Sequence, residues 1–92
     1  MAGFPVTFEF DPEKSGANKA KHGIDFVGAQ ALWAGRTVMF RVKHPVGDPC
    51  AVLGMIGGKH WTAFITYREE SVRLISVRRS RNDEKALYEN QD

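Results

Sequence analysis

The sequence is short of the residues on which many small secreted and metal-dependent proteins are built. Among 92 residues there is one cysteine, Cys50, so no intramolecular disulfide can form. It sits beside Pro49 in a polar turn, with no partner at metal-ligand spacing, and reads as a tolerated thiol of a reducing compartment. No stretch approaches the roughly 18–20 apolar residues that span a bilayer, so no membrane association is expected. The opening residues, Met1-Ala2-Gly3-Phe4-Pro5, show neither a basic n-region nor a long apolar h-region. A signal peptide is therefore not expected, and a cytoplasmic location is. A glycine-rich phosphate loop, a closely spaced His/Cys metal pattern and a nucleophile elbow are all missing. Signatures of helix-turn-helix, zinc-finger and RRM modules are missing too. Neither a metal nor a cofactor is expected, and any catalysis would be acid–base chemistry by side chains.

What is present is an ordinary globular composition, 42% hydrophobic and 26% charged. At this length it predicts a single domain over residues 1–92. The net charge of +2 conceals a strong asymmetry. Nine Lys and Arg against three acids lie between Arg36 and Arg81, whereas the last 11 residues hold four acids and one lysine. A polyanion or an acidic protein would be drawn to the basic middle of the chain.

Alternation of Val6, Phe8 and Phe10 predicts a strand from Phe4 to Phe10. Asp11-Pro12 is a helix start, an N-cap followed by proline at the first helical position. That helix should run to about His22, with Gly23 as its left-handed cap. Lys14, Asn18, Lys21 and His22 fall on one of its faces, and Ala17 and Ala20 on another, where the helix could approach a sheet. Asp25 is placed to cap a second, largely apolar helix from Phe26 to about Ala34. Four strands follow: around Val38 to Lys43, Ala51 to Ile56, His60 to Tyr67, and Val72 to Arg79. The stretch from His44 to Pro49, Gly57-Gly58 and Glu69-Glu70-Ser71 are the turns. Ser80 reads as the N-cap of a closing helix, with Asp83 three residues on. The order β-α-α-β-β-β-β-α predicts an α+β fold, an antiparallel meander with two N-terminal helices and one C-terminal helix.

The densest chemical signal is the run from Arg73 to Arg81. On a strand, Ser76 and Arg78 point to one face, and Arg73, Ile75, Val77 and Arg79 to the other. A guanidinium fork fits phosphate oxygens and stabilises charge on a phosphorane-like transition state. The same arginines could instead form structural ion pairs with Glu84 or Glu89 on the next helix. On the preceding strand, His60, Tyr67 and Arg68 include groups able to move protons; RNA cleavage without a metal needs one to take the 2′-hydroxyl proton and one to protonate the leaving oxygen. Trp61, Ala63, Ile65 and Tyr67 share one face of that strand; His60, Thr62, Phe64 and Thr66 share the other. Lys21 and His22 close the first helix, where cations suit the helix dipole, or they stand beside a cleft.

Two segments together resemble the BrnT family of type II toxins. One is Phe8-Glu9-Phe10-Asp11-Pro12-Glu13-Lys14, then Asn18 and Lys21-His22-Gly23-Ile24-Asp25-Phe26. The other runs from Gly57 to Arg68, then from Val72 to Arg81 and through the Glu84 to Tyr88 helix. Phe10 and Ser80 stand where these sequences often carry Trp and Ala. The resemblance implies a RelE-like fold and a small endoribonuclease that arrests growth by cutting RNA. It also implies a BrnA-type ribbon-helix-helix antitoxin in a heterotetramer, which alone would contact operator DNA. On that reading Arg78 meets transition-state charge and Arg79 a substrate phosphate. His60, Tyr67, His22 and Lys21 are candidate proton carriers. Lys59 and Arg68 join them as substrate contacts, Glu84 orients an arginine, and Tyr88 packs or hydrogen-bonds from the last helix. Two other readings share these residues: an inactive module that binds an antitoxin and tunes its repression, and a plain RNA-binding domain.

Overall fold

The structure, a computed structural model, describes residues 7–43 and 47–91. The expected strand start at Phe4 and the turn residues His44 to Val46 lie outside the described residues. The elements are β1 (Thr7–Glu9), α1 (Pro12–His22), a 3₁₀ helix (Gly28–Ala34), β2 (Val38–Arg41), β3 (Cys50–Ile56), β4 (Lys59–Arg68), β5 (Ser71–Arg79) and α2 (Asn82–Glu89).

The five strands form one sheet in the order β1-β5-β4-β3-β2. Strands β2 to β5 pair antiparallel with their chain neighbours. The sheet is nonetheless mixed, because β1 joins β5 in parallel, with Thr7, Phe8 and Glu9 opposite Ser71, Val72 and Arg73. This corrects the purely antiparallel sheet expected from the strand spacing. The chain leaves β1 into α1 and returns to its neighbour only after three further strands, a long-range pairing that local pattern does not show.

Strand β4 is joined to β3 by Gly57-Gly58, both at positive φ, which a two-residue turn of this hand requires of both residues. Gly54 is needed for a different reason: a Cβ there would lie 2.6 Å from Leu32 Cδ2, so the 3₁₀ helix packs almost directly on the β3 backbone. One face of the sheet carries the core, with Val52, Ala63, Ile65, Leu74 and Val77 beneath Ile24, Phe26, Ala29 and Leu32. The second helical segment is therefore a 3₁₀ helix and not the α-helix expected. It is only half buried, since Ala31 and Ala34 are exposed while Ala29 and Leu32 are sealed. Asp25 still holds its start, accepting from the Gly28 N–H at 2.7 Å.

Helix α1 begins and ends as the sequence predicts, with Asp11 accepting from Glu13 N–H and Gly23 at φ 86°. Its buried face is different from the one expected. Ala17 and Ala20 are exposed, and Ser15 and Asn18 face inward. β1 pairs with only the first three residues of β5, so the edge of β5 beyond it needs a partner. The Asn18 amide supplies one: Nδ2 donates to Val77 O at 2.9 Å and Oδ1 accepts from Val77 N–H at 3.1 Å. Nδ2 also donates to Ile24 O, and Ser15 Oγ accepts from Phe26 N–H. Two polar side chains thus stitch the helix to the sheet edge and to the following loop.

The alternation expected for β5 breaks once. Phe64 is opposite Ser76 and Ile65 is opposite Leu74, which leaves Ile75 as an extra, bulged residue. Val72, Leu74 and Val77 all reach the core despite their mixed parity. Arg73 consequently lies on the opposite face from Val77 and Arg79, and not with them.

Candidate active site

Only Ser80 and Arg81 separate β5 from α2. That short connection folds α2 back over the sheet face opposite the core, at the end where β4 begins. The N-cap is Arg81 and not Ser80, and Glu84, three residues on, accepts from the Arg81 N–H at 2.8 Å. Ser80 is used elsewhere: its hydroxyl lies 2.8 Å from Thr62 Oγ1.

Glu84 is the hub. Arg78, directly across the ladder from Thr62, meets it through a two-pronged pair, Nη1 to Oε1 and Nη2 to Oε2, each 2.8 Å. Thr62 Oγ1 donates to the same carboxylate at 3.0 Å. Both charged groups are sheltered, with side chains 19% and 12% exposed. Burial pushes the Glu84 carboxyl up, but the hydrogen bonds from Arg78, the Arg81 backbone and Thr62 outweigh it and hold the carboxyl below its ordinary range. Arg78 also donates from Nη1 to Arg79 O. Of the five guanidinium N–H groups, three are thus engaged. Among the described residues the Nε–H and one Nη2–H have no partner, and the guanidinium carbon stands 5.1 Å from the Phe64 ring centroid.

His60 lies on the same face, two residues before Thr62. Its Nε2 is 2.8 Å from Glu89 Oε2, and its ring meets Tyr88 edge-on at 5.7 Å. Tyr88 is buried and donates its hydroxyl to Arg36 O. The Arg36 guanidinium covers the tyrosine ring at 4.0 Å and donates to the carbonyls of Tyr88 and Gln91. A cation therefore closes the C-terminal end of α2, where the helix dipole favours it.

The structure brings together His60, Arg78, Glu84 and Tyr88 from the sequence candidates, with Lys59 next along the hairpin. It places the others apart. Arg79 points to the opposite face, 5.5 Å over the Trp61 ring, with Nε donating to His60 O. Tyr67 is at the far end of β4, 53% exposed, donating to Met39 Sδ at 3.2 Å. It borders an open cavity of about 740 Å³ with Met39, Arg41, Asp48 and Cys50. Arg68 is at that end too, 3.5 Å from Glu9. Lys21 and His22 close α1 on the β5 edge, and among the described residues no hydrogen bond joins them to the cluster. Thr62 and Arg36 belong to the cluster and were not singled out from the sequence; Glu89 was named there as a partner for an arginine, and it meets His60 instead. Thr62 was visible in principle, sharing the His60 face of β4; Glu89 and Arg36 depend on where α2 lands.

Residues 10–84 match a family model described as "Ribonuclease toxin, BrnT, of type II toxin-antitoxin system". That span takes in His60, Thr62, Arg78, Arg79 and Glu84, and stops before Tyr88 and Glu89. No curated protein matches the chain. Among solved structures, the 1.1 Å crystal structure of the Brucella abortus ribonuclease toxin BrnT superposes with a TM-score of 0.68 at 21% identity, covering 85% of this chain and all of that one. The likeness shows a shared fold. With the family model spanning most of its length, the chain belongs to the BrnT family of ribonuclease toxins of type II toxin–antitoxin systems.

Proposed function

We propose that the chain is a metal-independent endoribonuclease working at the Arg78–Glu84–His60 cluster, and that a BrnA-type ribbon-helix-helix antitoxin neutralises it in a cytoplasmic heterotetramer. Operator DNA would be met through the antitoxin alone. The observation that carries the reading is the Arg78 guanidinium, clamped by Glu84 and seated over Phe64, with its Nε–H and one Nη2–H unpartnered among the described residues. A clamped guanidinium presents its remaining N–H groups in a fixed fork, the form in which arginine best meets a phosphate.

The ribose 2′-hydroxyl attacks the adjacent phosphorus. A P–O2′ bond forms, the P–O5′ bond breaks, and the products are a 2′,3′-cyclic phosphate and a 5′-hydroxyl. His60, oriented by Glu89, takes the 2′-hydroxyl proton, and the leaving 5′-oxygen is protonated from water. Arg78 stabilises the charge that builds on the non-bridging oxygens. Glu84 positions Arg78, and Tyr88 supports the His60 ring. Lys59, beside His60 at the hairpin turn, draws in the RNA backbone; Arg79, turned to the opposite face over Trp61, and Tyr67, His22 and Lys21 take no part in the reaction.

Inducible expression in a bacterial host tests this, wild type beside Arg78→Ala, following growth and total RNA. Arrest with RNA cleavage by the wild type alone is the expected result. Equal arrest by a folded Arg78→Ala removes Arg78 from the mechanism. A second reading draws on one observation: Arg78 and His60 are both already engaged by carboxylates of α2. An inactive antitoxin-binding co-repressor would look the same. A folded wild type that neither arrests growth nor cuts RNA would establish it.

A further inference from the structure

The sheet face that carries Arg78 continues beyond it to a second arginine–glutamate group. Glu9, Arg73 and Thr66 form one row across β1, β5 and β4. Thr66 shares the Thr62 and Phe64 face by alternation, since the bulge lies on β5 and leaves the phase of β4 intact. Arg73 Nη1 donates to Glu9 Oε1 at 3.1 Å, and Arg68 Nη1 lies 3.5 Å from the same oxygen. The two arginine side chains are 37% and 64% exposed.

This end of the face repeats the logic of the Arg78 end. A single carboxylate steadies guanidinium groups from one side and leaves most of their N–H groups open to solvent. Two arginines share one glutamate here, so the row keeps a net positive charge. Phe64 stands midway between the two ends, half buried and opposite Ser76. The four-residue step from Thr62 to Thr66 is about 13 Å along the strand. Phe64 and Ser76, which lie between the charged ends, are uncharged.

We propose that this lane is a second RNA subsite, in which a single-stranded segment beyond the cleaved phosphate lies along β5, with a base against Phe64 and a phosphate on Arg73 and Arg68. The subsite rests on the ribonuclease reading above. Spaced guanidinium groups with an aromatic ring between them are the ordinary means of holding an unpaired strand. Stacking on one phenylalanine accepts any base, so the subsite selects for single-stranded character and length over sequence.

The test uses the full chain and non-cleavable 2′-O-methyl RNA of two lengths, about 12 and about 4 nucleotides, which bracket ordinary single-strand site sizes. Arg73→Gln is expected to weaken binding of the longer RNA about fivefold and to reduce its salt slope by about 1. The advantage of the long RNA over the short one should shrink accordingly. Phe64→Leu keeps an apolar side chain in the row and should likewise reduce the length advantage while leaving the salt slope in place. Wild-type affinity and salt slope in both folded variants would overturn the subsite. So would loss of binding to a polyglutamate peptide with RNA affinity intact, which would assign the face to an acidic protein. Wild type that binds the long RNA in this Arg73-dependent way but cuts no cleavable RNA would retain the subsite and remove the ribonuclease reading.

Discussion

On one face of the sheet, Val52, Ala63, Ile65, Leu74 and Val77 are sealed beneath a 3₁₀ helix and the loop before it. On the other, Thr62 and Arg78 meet α2, a helix of eight residues, which covers only one end. The first face is held by apolar contact and close approach, down to a glycine that lets Leu32 reach the β3 backbone. The second is held by hydrogen bonds, four of which converge on the Glu84 carboxylate. The difference shows how a small chain divides its labour: one face supplies the stability that lets the other keep charged groups half out of water. Apolar packing has no use for a phosphate, whereas a clamped arginine does.

That contrast can be broken most sharply from the packed side. Phe26 is 1% exposed and stacks edge-on with Phe10 at a centroid distance of 5.7 Å. Phe26→Ala should destabilise the fold by about 3–5 kcal/mol, enough to unfold a domain of this size, and denaturant titration would read it. Asn18→Ala comes next. It strands the Val77 N–H and the Val77 and Ile24 carbonyls, and an expected loss of about 2–4 kcal/mol would appear in the melting temperature. A near-neutral Asn18→Ala would mean that the β5 edge is satisfied by water and that α1 is held by something other than this amide.

The polar face should answer to pH where the packed one does not. Glu84 titrates below its ordinary range in the fold, so its contribution is complete above the unfolded carboxylate pKa. It is lost as the pH falls through the lower folded value. Glu84→Gln should therefore cost about 1–2 kcal/mol at neutral pH, and its stability curve should converge with that of the wild type in acid. Parallel curves would show that the Arg78 pair contributes nothing that depends on the charge. The smallest effect is expected at Tyr67→Phe. Its hydroxyl makes one exposed bond to a sulfur, far from the cluster, so stability should change by less than about 0.5 kcal/mol and RNA cleavage by less than about twofold.

Much of this architecture was legible along the chain. Asp11-Pro12 and Gly23 bracket α1 because caps act through bonds only a few residues long. The strands from β2 to β5 show because each exposes a two-residue period or sits between strong turns. The site was legible as a set of candidates and not as an arrangement. His60 and Arg78 were named, but so were Tyr67 and Arg79. The first of these lies at the far end of the strand from His60 and the second on the face opposite Arg78. The ion-pair reading of Arg78 with Glu84 and the phosphate reading were set against each other, and the geometry makes them compatible: three N–H groups are engaged and two are open.

Local chemistry therefore determined where elements begin and end, which strand residues alternate, and where the basic charge gathers, because each depends on neighbours within a few positions. Tertiary structure alone decided three things. It set β1 parallel beside β5 and turned Ser15 and Asn18 inward to complete the edge that short β1 leaves bare. It bulged Ile75, which moved Arg73 onto the Arg78 face. It laid α2 across that face so that Glu84 and Glu89 reach Arg78 and His60. Each of these joins residues distant along the chain or depends on how two strands register, and a one-residue shift in register exchanges the faces of every side chain after it.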